Sequence, residues 1–151
     1  MYTTALMLHS WIRWIALVAV VGATLAAVRG KVAGSTSLAD RWGLVAVTTL
    51  DIQMLLGLIL YFVVSPNMQE IRAHFGEAMK NPQLRFWAVE HISAMFVALV
   101  LVHLGRVLAR KAKTPAAKRM RLLVCFGIAT VAIFLGTPWP GTAAGRPLFR
   151  L

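Results

Sequence analysis

The stretch from Leu84 to Leu108, LRFWAVEHISAMFVALVLVHLGRVL, decides the fold. A transmembrane helix needs about 20 predominantly apolar residues, and this stretch provides them. Three stretches of similar character lie at about 5–28, 43–64 and 120–137. All four are too long for membrane strands and lack their alternation of apolar and polar residues. The sequence therefore predicts an all-α integral membrane protein, an up-down four-helix transmembrane bundle forming a single domain over residues 1–151.

The composition agrees with this class. Of the 151 residues, 59% are apolar and 14% are charged, whereas soluble domains are about a quarter charged. A cleaved signal peptide is not expected, because the first stretch is too long and has no basic leader. The single Cys125 lies within a predicted span, so neither an intrachain disulfide nor a cysteine metal motif is predicted.

The net charge of +11 is distributed unevenly over the loops. The loop between the second and third spans is nearly balanced, whereas the first and third loops are basic. The positive-inside rule therefore predicts that the first and third loops are cytoplasmic and that both termini lie outside the membrane. We interpret the third loop as a topology signal and a contact for anionic lipid, not for nucleic acid. Its basic residues are Arg106, Arg110, Lys111, Lys113, Lys118, Arg119 and Arg121.

Two histidines inside the spans are the best candidates for a functional site. An ionisable side chain in hydrocarbon is costly, which favours a functional role. His9 and His91 lie near the predicted outer ends of the first and third spans, matched in depth to about 4 Å. These spans are diagonal in an up-down bundle, with axes about 13 Å apart. Two imidazoles and an iron fill that gap, so the pattern predicts a b-type haem with His9 and His91 as axial ligands.

Charged residues accompany these histidines. We expect Arg13, or Arg85 at the outer rim, to pair with a haem propionate. Glu90 is expected to orient a ligand imidazole by accepting its second N–H. A second interpretation stays open, in which His9, Arg13, Glu90 and His91 form a buried polar cluster that fixes helix register or handles protons without a cofactor.

A second polar cluster, Asp51, Gln53 and His103, is predicted nearer the inner side. His103 lies twelve residues beyond His91, about 18 Å along the helix, and cannot reach the same iron. We expect it to pair with Asp51 or Gln53. No phosphate-binding loop, nucleophile elbow or metalloprotease motif occurs, so no standalone enzymatic activity is expected.

Six segments carry a resemblance: His9–Trp14 (HSWIRW), Leu50–Gly57 (LDIQMLLG), Ala88–His91 (AVEH), His103–Arg106 (HLGR), Pro138–Pro140 (PWP) and Arg146–Phe149 (RPLF). Together they resemble the short bacterial four-span membrane proteins labelled cytochrome b-like, over nearly the whole chain. The resemblance implies a bacterial inner-membrane location and a b-type haem, with His9 and His91 as its ligands.

The sequence leaves two main function classes. One is an electron carrier between a quinol and a partner near the outer face, acting as a subunit of a larger redox complex. The alternative is a haem-free accessory subunit of a respiratory or photosynthetic membrane complex. Proton or small-ion handling through Glu90, Asp51 and His103 is a third, weaker interpretation.

Overall fold

Four long helices make up most of the computed structural model, which describes residues 1–34 and 36–149. They run from Tyr2–Val28, Leu38–Val64, Pro82–Arg110 and Pro115–Gly136, and each is long and apolar enough to cross a membrane. No strand occurs within the described ranges. The chain is therefore an all-α, multi-pass membrane protein built as a four-helix bundle, as the sequence predicts. We number the helices as the first to fourth spans.

The two ends of the bundle differ in character. The end at residues 2, 64, 82 and 136 is called the termini end, and the end at residues 28, 38, 110 and 115 is called the basic end. The second and third spans are joined by short helices at Pro66–Ala73 and Phe75–Ala78. The first of these helices buries Met68 and Ile71 against the bundle and exposes most of its polar residues. It is therefore an amphipathic helix on the surface of the bundle.

Capping makes three spans begin earlier than the apolar pattern indicates. The side chains of Ser37, Asn81 and Thr114 accept hydrogen bonds from backbone N–H groups two or three residues further on. Pro82 and Pro115 occupy first-turn positions, where the missing N–H has no cost. The helices therefore begin at residues 38, 82 and 115 instead of about 43, 84 and 120, because capped polar turns precede the apolar runs.

Neighbouring spans place the first and third helices diagonally. The first span packs mainly against the second and fourth, and so does the third. Ala19, Ala23 and Ala27 of the first span are buried, as their four-residue spacing predicts. On the third span, a Cβ added at Gly105 would lie 2.7 Å from the Cβ of Cys125. Small residues therefore allow the close helix approach that fixes the diagonal pair.

Several basic side chains stabilise helix ends at the basic end. The guanidinium of Arg119 donates to the carbonyl groups of Ala27 and Val28, which end the first span. Arg121 donates to the carbonyl of Leu108 near the end of the third span. Terminal carbonyls of a helix have no intrahelical donor, so these contacts satisfy them. Part of the positive charge in the third loop therefore has a structural role.

Candidate functional site

A cavity of about 150 Å³ lies between the spans towards the termini end. Both candidate histidines, His9 and His91, line it, and so does Arg13. Gln53 of the second span and Trp87 of the third also face it. The cavity therefore brings together residues that are far apart in the sequence, and it is the candidate site.

The two histidine rings face each other across the bundle. Their centroids lie 6.3 Å apart and their planes meet at 70°. A metal–imidazole bond is about 2 Å long, as at zinc sites, and the ring centroid lies about 1 Å beyond the nitrogen, so two rings on opposite sides of one ion have centroids about 6 Å apart. The separation of His9 and His91 therefore matches ligation of a single metal ion.

A backbone carbonyl fixes the orientation of the His91 ring. Its Nδ1 lies 2.6 Å from the carbonyl oxygen of Gly136 and must donate to it, because a carbonyl only accepts. A Cβ at Gly136 would lie 2.7 Å from the Cβ of Ala94, so glycine allows this close approach of the fourth span. In the neutral ring, Nε2 then keeps its lone pair and can bind a metal.

The second span holds His9 through two contacts. Gln53 donates from Nε2 to the backbone carbonyl of His9 at 2.9 Å. A Cβ added at Gly57 would lie 3.2 Å from Cε1 of the His9 ring, so only glycine leaves the ring its present space. Gln53 and Gly57 are four residues apart and share a helix face. This four-residue spacing is a sequence signal that could have assigned both residues to one site.

π-helical turns shape the same region. The second span ends in a π-helical turn at Leu60–Val64, and the third span contains one at Phe86–Glu90, immediately before His91. Tyr61 of the first turn donates to the carbonyl of Ala88 in the second at 2.7 Å. π-helical turns are rare and often occur at functional sites. They set the direction in which Trp87 and His91 enter the cavity.

Glu90 does not orient a histidine, which corrects the sequence prediction. It pairs with Arg85 at 2.7 Å, with both side chains about half exposed, and neither residue lines the cavity. Residues five apart point about 140° apart on an α-helix, but the wider π-helical turn between these two brings them together. The carbonyl of Gly136 takes the role expected of Glu90.

The chain after the fourth span, residues 137–149, covers the termini end of the site. The carbonyl of Leu148 accepts hydrogen bonds from Arg13 at 2.8 Å and from Trp14 at 3.1 Å. Phe149 stacks on Trp14 with ring centroids 5.6 Å apart. Arg146 from this segment lines the cavity. The sequence did not identify Arg146 as a site residue, because nothing local indicates how this segment folds back. It did not identify Trp87 either, since a tryptophan near a membrane interface is expected from its location alone.

The second polar cluster has two members instead of three. Nε2 of His103 lies 2.8 Å from Oδ1 of Asp51. Asp51 is one of the two partners that the sequence predicts for His103. Gln53 does not join them, because residues two apart on a helix point about 200° apart. It faces the cavity instead. Both members of the pair are about half exposed on the surface of the second and third spans.

The Asp51–His103 pair predicts a measurable coupling energy. A double-mutant cycle with Asp51→Asn and His103→Gln should give about 0.6 kcal/mol, the average found for polar pairs in membrane helices. The measurement is the free energy of unfolding of the four proteins in detergent micelles. A cycle between Asp51→Asn and His74→Gln is the control and should give no coupling. Strict additivity of Asp51→Asn and His103→Gln would contradict the pairing.

Three polar atoms lining the cavity lack a hydrogen-bond partner among the described residues. They are Nδ1 of His9, Oε1 of Gln53 and Nε1 of Trp87, all buried. An unsatisfied buried polar group costs about 1–3 kcal/mol. A ligand or ordered water that pairs with these atoms would remove that cost.

The two imidazoles of this site are suitable ligands for a haem iron. The volume of the cavity is less favourable for the porphyrin ring. The described residues contain no group of three or more His, Cys, Asp or Glu side chains able to hold a bare metal ion. Two imidazoles suffice for an iron already held by four porphyrin nitrogens. The cavity volume of about 150 Å³ is smaller than the roughly 300–1,000 Å³ of typical cofactor sites. A porphyrin therefore requires movement of flexible lining side chains such as Met54 and Met95.

Comparison of the chain with protein-family models, with curated proteins and with solved structures found no match.

Proposed function

We propose that this chain is a cytochrome b-like membrane protein that binds a b-type haem between the first and third spans. The observation that carries the proposal is the pair of imidazoles from diagonal spans, His9 and His91, with centroids 6.3 Å apart in one cavity. The Nδ1 of His91 is already engaged by Gly136, which leaves Nε2 as the ligand atom. The resemblance to cytochrome b-like proteins implies the same cofactor.

The residues of the site favour electron transfer. A bound haem would supply a one-electron redox couple. His9 and His91 would hold the haem iron through their imidazoles, and two histidine ligands suit electron transfer. Gly57 and Gly136 keep the two rings in place. We propose a quinol as the electron donor and a further subunit of a redox complex as the acceptor.

Haem content of the purified protein tests this proposal. We expect about one b-type haem per chain after expression with a haem precursor, with a reduced-minus-oxidised spectrum showing Soret and alpha bands. Purified protein that stays haem-free after incubation with excess haem, while its circular dichroism remains helical, would contradict the proposal.

Gly57→Ala should weaken haem binding without unfolding the bundle. The added methyl group would lie 3.2 Å from Cε1 of His9 and displace the ring from its position. We expect the haem dissociation constant to rise about tenfold, equivalent to about 1.4 kcal/mol. Gly127→Ala is the matched control, because nothing lies within 4 Å of a Cβ there. Equal haem titrations of the two variants would contradict the role assigned to Gly57.

A haem-free accessory subunit is the second candidate function. It is favoured by the small cavity and by the Asp51–His103 pair, which is half exposed on a surface that would otherwise contact hydrocarbon. Charged groups in contact with lipid are costly, which favours cover by another protein. Co-purification with a large complex after mild detergent extraction, with no haem in this chain, would support this function. A monodisperse lone protein would count against it.

The orientation is part of the proposal. We propose a bacterial inner-membrane location with the basic end in the cytoplasm, both termini outside, and anionic lipid against exposed cations such as Arg110 and Lys111. Labelling of single cysteines at the two ends with an impermeant thiol reagent in intact cells tests it, in a Cys125→Ala background. We expect labelling at the termini end only. Labelling at the basic end and not at the termini end would contradict the proposed orientation.

A further inference from the structure

The cavity is lined by a cationic side chain from the segment after the fourth span. Arg146 lines it together with the two histidines, and no Asp or Glu is among its described lining residues. Of the five acidic residues in the chain, three pair with basic residues elsewhere, at Asp40, Asp51 and Glu90. The lining thus favours a negatively charged ligand.

The Arg146 guanidinium has a defined position. It lies 5.2 Å from the centroid of the Trp87 ring, as in a cation–π contact. The backbone N–H of Arg146 donates to the carbonyl of Pro138 at 3.1 Å. A Cβ at Gly145 would lie 2.7 Å from the carbonyl oxygen of Trp139, so the segment closes tightly just before Arg146. Among the described residues, Arg146 forms no ion pair.

Trp87 supplies a second donor beside this guanidinium. Its Nε1 is buried and has no hydrogen-bond partner within the described part of the chain. The Trp87 ring lies 5.6 Å from the ring of His91, between centroids. Deeper in the cavity, Gln53 is more than nine-tenths buried and its Oε1 is likewise unsatisfied. A molecule that extends inward from Arg146 would offer partners to both of these atoms.

We propose that Arg146, with Trp87, binds the carboxylate of an amphipathic acid whose apolar body lies between the spans. A guanidinium offers paired N–H donors that match the two oxygens of a carboxylate. This inference deepens the proposed function, since a haem carries two carboxylates as propionates. A fatty acid has the same chemistry, and the experiment below separates the two sources.

Binding of metal-free protoporphyrin IX tests the carboxylate site independently of iron ligation. Porphyrin fluorescence is titrated with the purified full chain, using the free diacid and its dimethyl ester. We expect the diacid to bind at least about tenfold more tightly than the diester, because charge-assisted hydrogen bonds are lost on esterification. Arg146→Gln should remove most of that preference. His91→Ala should retain it, since this porphyrin has no iron.

Arg72→Gln is the matched control variant. The Arg72 guanidinium also lies over an aromatic ring, 5.4 Å from the centroid of Phe62, but it does not line the cavity. Equal binding of diacid and diester, or equal losses in Arg72→Gln and Arg146→Gln, would overturn the inference. So would a protein that binds neither the diacid nor oleate.

Competition by oleate identifies the source of the carboxylate. Displacement of the diacid by oleate, lost in Arg146→Gln, supports a lipid acid as ligand. Diacid binding that oleate does not affect supports propionates. A diacid preference in a protein that takes up no haem leaves the carboxylate site standing and rejects the proposed function.

Discussion

His91→Ala should remove the b-type haem bands while the helical bundle remains folded. The carbonyl of Gly136 holds the ring of His91, and alanine would remove the proposed iron ligand on that side. We expect haem content to fall to less than about a tenth of wild type, because the loss of one axial bond costs well over the 1.4 kcal/mol that corresponds to a tenfold change. His9→Ala should behave alike, since both rings line one cavity.

His74→Ala is the control for a histidine loss without ligation. His74 lies in the connection between the second and third spans and does not line the cavity, and its Nδ1 lies 3.3 Å from the Glu70 carbonyl oxygen. Haem is quantified per chain, and circular dichroism checks the fold. Free imidazole added to His91→Ala should restore part of the bands, because it can occupy the vacated volume. If His91→Ala bound as much haem as His74→Ala, ligation by His91 would be contradicted.

Gly105→Leu should destabilise the bundle more than any substitution at the lipid-facing surface. Already a Cβ at this position would lie 2.7 Å from the Cβ of Cys125 and 3.1 Å from Cε2 of Phe126. Both of these residues are buried, so a leucine forces the third and fourth spans apart. Overpacking of this kind costs about 1–3 kcal/mol, occasionally more. We expect a loss of at least about 3 kcal/mol in the free energy of unfolding.

Unfolding in mixed micelles measures this loss, with Gly127→Leu as the matched control. Gly127 lies in the fourth span, where nothing would meet an added Cβ within 4 Å. The two variants share the gain in helix propensity and the added apolar volume, so their difference isolates the close contact. Equal stability of the two would contradict the helix approach described at Gly105.

The four spans could be predicted from the sequence because they depend on length and hydropathy. Their first turns could not be placed by apolar content, since the caps at Ser37, Asn81 and Thr114 extend the helices into polar sequence. The convergence of His9 and His91 followed from the topology, because matched depth on diagonal helices places side chains together. Their role as ligands stays a prediction.

The separation of Gln53 from Asp51 could have been predicted, because the helical period alone places residues two apart about 200° apart. Two other features of the site depended on tertiary structure. The partner of Glu90 could not be predicted, because the π-helical turn at Phe86–Glu90 has no recognised local signature. The position of Arg146 depends on how residues 137–149 fold back, which is fixed by contacts with Arg13 and Trp14.

The electron paramagnetic resonance spectrum of the oxidised protein tests the central claim most directly. Two imidazoles impose a strong ligand field, so an iron held between His9 and His91 should give a low-spin ferric signal, about one spin per chain. The low-spin signal should be lost in His91→Ala, with any residual haem high-spin, and should stay unchanged in His74→Ala. A high-spin signal in the wild-type protein, or no haem signal after incubation with haem, would contradict bis-histidine ligation at this site.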